Sequence, residues 1–488
     1  MVKKLILITI DCCRRDCLKV YGYDKDILPN VNKLSKESYC FNNAIANGSN
    51  TASSFYSLFT SELPAMKVSY APLPLHKKTF YKILSENNIK TCGIHSNPHL
   101  GNYCNYNLGF DDFYDMFKKP QYYSSKKQFV NLIYLINEKI LEFFSLKEYG
   151  KKIRNIFSKI FKHTLKRSVI KKVESPYLNA RNITAKSLEW LKRNYHKNFF
   201  LWIHFMDAHT PYFPSNKSIK NVSDQHISDD TKLFINQIIN KISTNPDWSK
   251  DLDKKKIGKT IEILHNAELN YVDFYIGILI KYLKNLSIYD STKIILTADH
   301  GDEMFEHNCL SHYPSLYDEL LRVPLLIKLN TSLNKAKILQ EQVQLLDIGP
   351  TILNLFKLPK DENYQGRNLV NIIKKENGFK NSKYAISIIL HHNKISYTAY
   401  NKDSYKFFIM ISCRTLDWKL IFDGQTKSIK LFNLKADPGE VYDLSKSTKN
   451  NIIDIKKHLF SKILPYIEYY KSEESKIERS ARRIFSKK

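Results

Sequence analysis

The chain has 488 residues, 43% hydrophobic and 25% charged, and carries a net charge of +28. That length can bury a large core, enough for one big domain with a smaller one beside it, and no apolar run approaches the ~18 residues of a membrane span. The basic excess is spread along the chain without a nucleic-acid motif, so no nucleic acid is expected as a partner; a lysine-biased composition, an anionic substrate or an anionic membrane surface would each account for it.

The apolar start, Leu5–Ile10, is short, ends in Asp11 and is followed by no small-residue cleavage site. It reads as a first strand rather than a signal peptide, and the expected location is cytoplasmic. The eight cysteines form no CxxC pair or regular framework, so they are expected to be reduced and to serve mainly in packing. Pro29-Asn30 opens a helical stretch through Leu34, and Phe41–Ala46 is extended. Thr51–Ser54 then sit at the N-terminus of a helix carrying Phe55, Leu58 and Phe59. Such a terminus offers free N–H groups to an anion, although Ser and Thr also serve there as plain caps. Lys90–Ile94 is a strand ending at His95-Ser96-Asn97-Pro98, and the Gly109–Asp115 segment closes that unit.

From about 116 to 178 the texture changes. Ile153, Ile156, Phe157, Ile160 and Phe161 follow helical spacing among lysines and arginines. This basic amphipathic helix could pack as an insertion or lie peripherally on an anionic membrane. Asn182–Asn194 is an amphipathic helix, and Phe199–Phe205 is a buried strand running into Met206-Asp207-Ala208-His209. A polar insertion spans about 215–258, and Leu264–Leu286 is a long helix feeding the strand Ile294–Thr297. That strand stops in Asp299-His300-Gly301-Asp302-Glu303. An acid and an imidazole side by side supply an oxygen and a nitrogen for a divalent cation, and the glycine admits close backbone approach; a solvated loop is the plainer reading. Arg322–Ile327 is another strand, and Val343–Thr351 leads into a helix to Phe356. From about Ser382 come short strands at Tyr384–Leu390, Ile395–Tyr400, Phe407–Ile411, Trp418–Phe422 and Ile429–Leu431, before a charged tail at Lys471–Lys488 that is expected to be loosely ordered.

The alternation predicts an α/β fold: a doubly wound, mostly parallel central sheet over residues 1–375, with a small antiparallel subdomain at 376–470. Polar sets at strand ends then converge where such sheets place their sites. Asp11, Thr51, Asp299 and His300 make a sensible donor set for one divalent metal, and His209 and His312 could hold anionic oxygens or protonate a leaving group.

These stretches, in order, resemble the sulfatase-like branch of the alkaline phosphatase superfamily. Leu7–Asp16 is similar to its opening strand and first metal carboxylate, Asn50–Thr60 to its nucleophile helix and His204–Tyr212 to its substrate-histidine loop. Thr297–Glu303 is similar to its second metal pair, and Asp347–Thr351, Gly366-Arg367, Arg414, Trp418 and Asp437–Glu440 to its C-terminal landmarks. The resemblance implies a metal-dependent hydrolase or transferase of anionic esters. Sulfate-ester hydrolysis in that family uses a Cys or Ser converted to formylglycine within a Cys/Ser-x-Pro-x-Arg context. Here Thr51-Ala52-Ser53-Ser54-Phe55 lacks the residue type, the proline and the arginine, and Cys12 stands where a second carboxylate is usual. A threonine nucleophile resembles instead the phosphodiesterase and phosphotransferase branches. The expectation is therefore a single-metal enzyme (Mn, Mg, Ca or Zn) acting on a phosphate ester or phosphodiester of a glycan or lipid head group through Thr51. A sulfatase without formylglycine and a catalytically degenerate binder of anionic glycans are the alternatives.

Overall fold

The computed structural model describes residues 3–64, 72–117, 177–244, 252–312, 314–329, 336–375, 383–392 and 407–485. The strands of the first part are β1 (Lys4–Ile10), β2 (Tyr39–Ile45), β3 (Lys90–His95), β4 (Asp112–Asp115), β5 (Phe199–Phe205) and β6 (Thr292–Ala298). The short strands β7 (Glu303–Met304), β8 (Leu310–Ser311), β9 (Arg322–Val323) and β10 (Leu325–Lys328) follow, then β11 (Lys337–Gln344). They build a nine-stranded sheet in the order β11-β2-β10-β6-β1-β5-β3-β4, with β9 on β2, and β7 and β8 form a separate hairpin.

Every residue of β1 and β5 is buried. This is the continuous apolar run expected of strands covered on both faces. β1 pairs in parallel with β5 on one side and β6 on the other, and Ile10 is level with both Phe205 and Ala298. Three chains therefore leave the sheet at the same height, carrying Asp11, Met206-Asp207 and Asp299-His300 to one edge. β10, antiparallel to both β2 and β6, and β9, antiparallel to β2, depart from this pattern. The single strand expected over Arg322–Ile327 is interrupted at Pro324, which has no N–H for a ladder; its carbonyl instead accepts from Thr297 Oγ1 at 2.7 Å.

The segment read as a polar insertion is largely helical. Asn216–Val222 and Asp229–Thr244 are helices, and the long helix begins at Lys254 rather than Leu264, ending at Asn285. Ile235, Ile238, Ile239 and Ile242 are buried on one face of the second of these. This is a 3.6-residue stripe that the surrounding polar composition masks.

The second sheet is antiparallel and four-stranded: β12 (Ala385–His392), β13 (Phe407–Arg414), β14 (Trp418–Asp423) and β15 (Ser428–Asn433). The helix Asn450–Phe485 lays Leu459, Ile463, Ile467 and Tyr470 on it. The tail expected to be loose from Lys471 continues this helix to Phe485. The basic helix at Ile153–Arg167, with its membrane reading, and the strand at Ile395–Tyr400 lie outside the described residues. Among the described residues no helix is long and apolar enough to cross a membrane.

The second sheet also braces the approach to Thr51. Ile388 N donates to Asn47 O at 2.8 Å, and Asn47 Nδ2 donates to Ile386 O and to Gln344 Oε1, each at 3.0 Å. Gly48 is required in this loop, since a Cβ there would stand 2.3 Å from Ser53 Cβ.

Candidate active site

Thr51 opens the helix Thr51–Thr60, but it is not the cap. Asn50 fills that role, its Oδ1 accepting from Ser53 N at 2.9 Å. The Thr51 hydroxyl is thereby free to face Asp11, with Oγ1 3.4 Å from Oδ2. That is long for a hydrogen bond. It is the spacing of two oxygens on one cation, since ligands about 2.3 Å from a metal at right angles are roughly 3.3 Å apart.

Asp11, Asp299 and His300 are fully buried, and each offers a ligand atom within 4.8 Å of the other two. His300 Nδ1 donates to Gly301 O at 2.9 Å, which fixes the tautomer and leaves the Nε2 lone pair 3.6 Å from Asp299 Oδ2. Both His300 Nε2 and Asp299 Oδ2 are buried without a hydrogen-bond partner. Orphaned acceptors in a dry pocket are costly unless a cation takes them up. Two carboxylates, an imidazole lone pair and a hydroxyl fit a divalent metal. Gly301 allows the turn, since a Cβ would meet Glu319 O at 2.0 Å.

The electrostatics agree with that donor set. Burial pushes Asp299 up, and the neighbouring Asp11 charge pushes it further. Burial opposes ionisation of Asp11 as well, but His204 and the charges of His209 and His300 hold it well below the usual aspartate range. Without a cation, then, Asp299 takes up the proton of the pair. Burial lowers both His300 and His209 from the ordinary histidine value, while the Asp11 charge works the other way.

His209 and His312 stand over this cluster, with ring centroids 4.9 Å apart and His312 5.0 Å from His300. His209 Nδ1 donates to Thr210 O at 2.6 Å, so its Nε2 presents a lone pair. His312 Nδ1 meets Asp302 Oδ1 at 3.1 Å, and Asp302 also accepts from Tyr212 Oη at 2.5 Å. Burial disfavours the His312 cation, yet the Asp302 contact raises His312 overall, with the Asp11 charge adding to it. All six residues expected at the site from sequence are thus brought together in one cluster.

Cys12, in the position of the missing carboxylate, points its thiol at Asp11 Oδ1 at 3.0 Å. It also lies 3.9 Å from His300 Nδ1 and 3.8 Å from His312 Nδ1. Those nitrogens carry protons committed to Gly301 O and Asp302, and burial with three nearby carboxylates raises the thiol well above its ordinary range. The trio has the composition of a metal site but not its lone pairs.

Two further residues reach Asp11. Asn97 Nδ2 donates to Oδ2 at 3.3 Å while its Oδ1 accepts from His99 N at 2.9 Å. Asn97 carries the same signal as the others, a polar residue just past a strand end. His204 Nε2 lies 3.4 Å from the same Oδ2. It sits inside β5, where nothing in the sequence distinguishes it from strand packing.

The Sulfatase family model matches residues 3–358 of this chain. The chain belongs to the sulfatase family. A second model, for the N-sulphoglucosamine sulphohydrolase C-terminal region, matches residues 307–468. Among relatives, the uncharacterized sulfatase YidJ of Escherichia coli is 26% identical over 206 residues, covering 42% of this chain and 38% of that protein. Bovine arylsulfatase K is 29% identical over 195 residues, 38% of this chain and 34% of the relative. The sulfatase-family chain thus spans well under half the length of these relatives. Solved structures cover almost all of it. The phosphonate monoester hydrolase of Agrobacterium radiobacter aligns with TM-score 0.68 at 16% identity over 95% of both chains. BT4656, solved in complex with its substrate D-glucosamine-2-N,6-O-disulfate, aligns with TM-score 0.65 at 16% identity over 97% of this chain and 99% of that one. At such identities the likeness establishes the fold.

Proposed function

We propose that this sulfatase-family protein cleaves or transfers a phosphate ester, most directly a phosphodiester of a glycan or lipid head group, with Thr51 as nucleophile. The observation that carries the reading is the Thr51 hydroxyl, released from capping by Asn50 and directed at Asp11 Oδ2 at 3.4 Å. Asp11, Asp299, His300 and Thr51 would hold a divalent metal. Bound there, it would lower the hydroxyl's pKa and neutralise charge on the substrate.

Thr51 Oγ1 attacks phosphorus, the new O–P bond forming as the bond to the leaving oxygen breaks. The helix behind Thr51 sets backbone N–H groups and a favourable dipole toward the anion. His312, raised by Asp302, donates a proton to the departing oxygen, the proton of the attacking Thr51 hydroxyl passes to solvent water, and His209, whose Nδ1–H is held by Thr210 O, offers its Nε2 lone pair to a substrate hydroxyl. Water, or an acceptor hydroxyl in a transfer reaction, then takes the phosphoryl group from Thr51.

Sulfate-ester hydrolysis by the unmodified hydroxyl is the second reading, favoured by the sulfatase names of the relatives. Metal-loaded protein offered nitrophenyl phosphate, bis-nitrophenyl phosphate, a phenylphosphonate ester and nitrophenyl sulfate separates the two. Phosphorus esters should turn over faster. Faster sulfate release overturns the proposal, and binding without any turnover supports the degenerate binder.

A further inference from the structure

Trp202, Thr9, His204 and Asp11 form a line of polar groups beneath the pocket. Thr9 and His204 face each other in the register of β1 and β5. Trp202 Nε1 donates to Thr9 Oγ1 at 2.9 Å, and an indole N–H can only donate. Thr9 thus accepts there and retains one proton to give, with His204 Nδ1 at 2.9 Å and Ile203 O at 3.3 Å in reach. At the far side of the ring, His204 Nε2 is fully buried, has no hydrogen-bond partner and lies 3.4 Å from Asp11 Oδ2.

The tautomer follows from elimination. A neutral imidazole has one N–H and one lone pair. If Nε2 held the lone pair, two acceptors would face each other in a dry interior, the most costly arrangement available. The proton therefore sits on Nε2, the lone pair on Nδ1, and the Thr9 hydroxyl donates to it. Donation then runs from Trp202 through Thr9 to His204, whose Nε2–H faces Asp11 Oδ2 at 3.4 Å. Aromatic contacts fix the ring plane: Phe55 meets it edge-on at 5.0 Å and Trp202 lies nearly parallel at 6.0 Å. Phe55 belongs to the helix that carries Thr51. One imidazole thus ties the nucleophile helix, the central strands and a candidate metal carboxylate together.

We infer that His204 is a positioning residue for Asp11, held by Thr9 and Trp202 so that its Nε2–H orients the carboxylate for the metal. This rests on the reading of Asp11 as a metal ligand. Partners of this kind behind a ligand set its rotation and basicity, and their loss weakens metal affinity about 10–100-fold.

The test is calorimetric titration of Mn²⁺, and separately Ca²⁺ and Mg²⁺, into chelator-stripped full-length protein, using whichever ion the wild type binds. His204→Phe fills the space without a donor and should weaken binding by about 10–100-fold. His204→Gln places an amide N–H near the Nε2 position and should restore most of the affinity. Thr9→Val severs the tautomer lock and should weaken binding, whereas Thr9→Ser should not. A folded His204→Phe protein with wild-type affinity overturns the inference. Should His204→Phe fail to fold, the Thr9 pair decides: equal affinity in Thr9→Val and Thr9→Ser overturns it. If the wild type binds no divalent ion, the metal reading of Asp11, Asp299 and His300 falls, and this inference with it.

Discussion

Asp11 and Asp299 leave adjacent parallel strands at the same level, Ile10 beside Ala298, and bring buried carboxylate oxygens within 4.8 Å of each other. Two like charges so close in a dry site repel until a proton or a cation intervenes. A divalent ion should therefore stabilise the fold, by about 2.7 kcal/mol at a hundredfold excess over its Kd. Calorimetric melting with and without chelator measures this. Asp299→Asn, which is neutral without taking up a proton and removes a donor, should raise the melting temperature of the stripped protein and abolish its response to metal. An equal metal-induced shift in the variant would place the ion elsewhere.

That convergence was legible in the sequence because each of these residues sits just beyond a short apolar strand, and parallel sheets collect such ends at one edge. Asp11, His209 and Asp299-His300 carry this signal plainly, and Thr51 carries the signal of a helix start. His204 does not, because its role depends on which strand β5 pairs with and in what register, a tertiary fact. The same holds for the cap. Thr51 and Asn50 are both capping types, and the fold shows that Asn50 does the capping. The helix at Asp229–Thr244 was obscured by composition, its isoleucine stripe diluted by lysine, asparagine and aspartate.

A half-buried acid pair near the His209 loop predicts a pH effect. Burial, then the charge of Asp207, pushes Glu268 up to about 8, and burial pushes Asp207 up to about 7. A carboxyl raised in the fold contributes stability that is fully present below its unfolded pKa and is lost as pH rises through the folded value. Between pH 6 and pH 9 the wild type should lose roughly 2–3 kcal/mol from Glu268. Glu268→Gln keeps the oxygen that accepts from Phe213 N at 2.9 Å and removes the titration. Urea unfolding of the variant should show a much flatter pH profile over that range. A parallel loss in both proteins would assign the effect to other groups.

The second sheet is anchored to the first by buried charge. Asp318 meets Arg414 Nη2 at 2.9 Å and Lys419 Nζ at 2.8 Å, and Lys419 Nζ lies 2.9 Å from Glu440 Oε1. Asp318→Asn leaves Lys419 with Glu440 alone and takes from Arg414 the carboxylate it pairs with, and removing one partner of such a set costs about 3–5 kcal/mol. Burial opposes the Asp318 charge, but Arg414 and Lys419 hold it far below the ordinary range. Its contribution is therefore present above the unfolded value near 3.9 and lost as pH falls toward the lower folded one. Denaturant melts at pH 7 should show the full difference between wild type and variant, and melts below about pH 4 a shrinking one. An undiminished difference in acid would mean that Asp318 acts through shape rather than charge.

Thr51 is where the chemistry is most exposed to test. Thr51→Ala removes a hydroxyl and a methyl at the pocket edge, and because Asn50 holds the cap it should cost less than about 1 kcal/mol of stability. Turnover should fall by at least ~10³-fold, as expected when an attacking group is deleted. Thr51→Ser keeps the oxygen but loosens χ1, so it should retain a measurable fraction of activity. The neighbouring hydroxyls are poor substitutes. Ser54 Oγ is committed to Gly48 O at 2.8 Å, and Ser53 lies against Gly48, where a Cβ would stand 2.3 Å from its own. Mass spectrometry of protein quenched during turnover of a phosphodiester should find phosphate on the peptide spanning Asn50–Ser54 in the wild type and none in Thr51→Ala. Near-wild-type turnover by Thr51→Ala would exclude the hydroxyl as nucleophile. An unphosphorylated peptide together with a dead alanine variant would make Thr51 a ligand and water the attacking group.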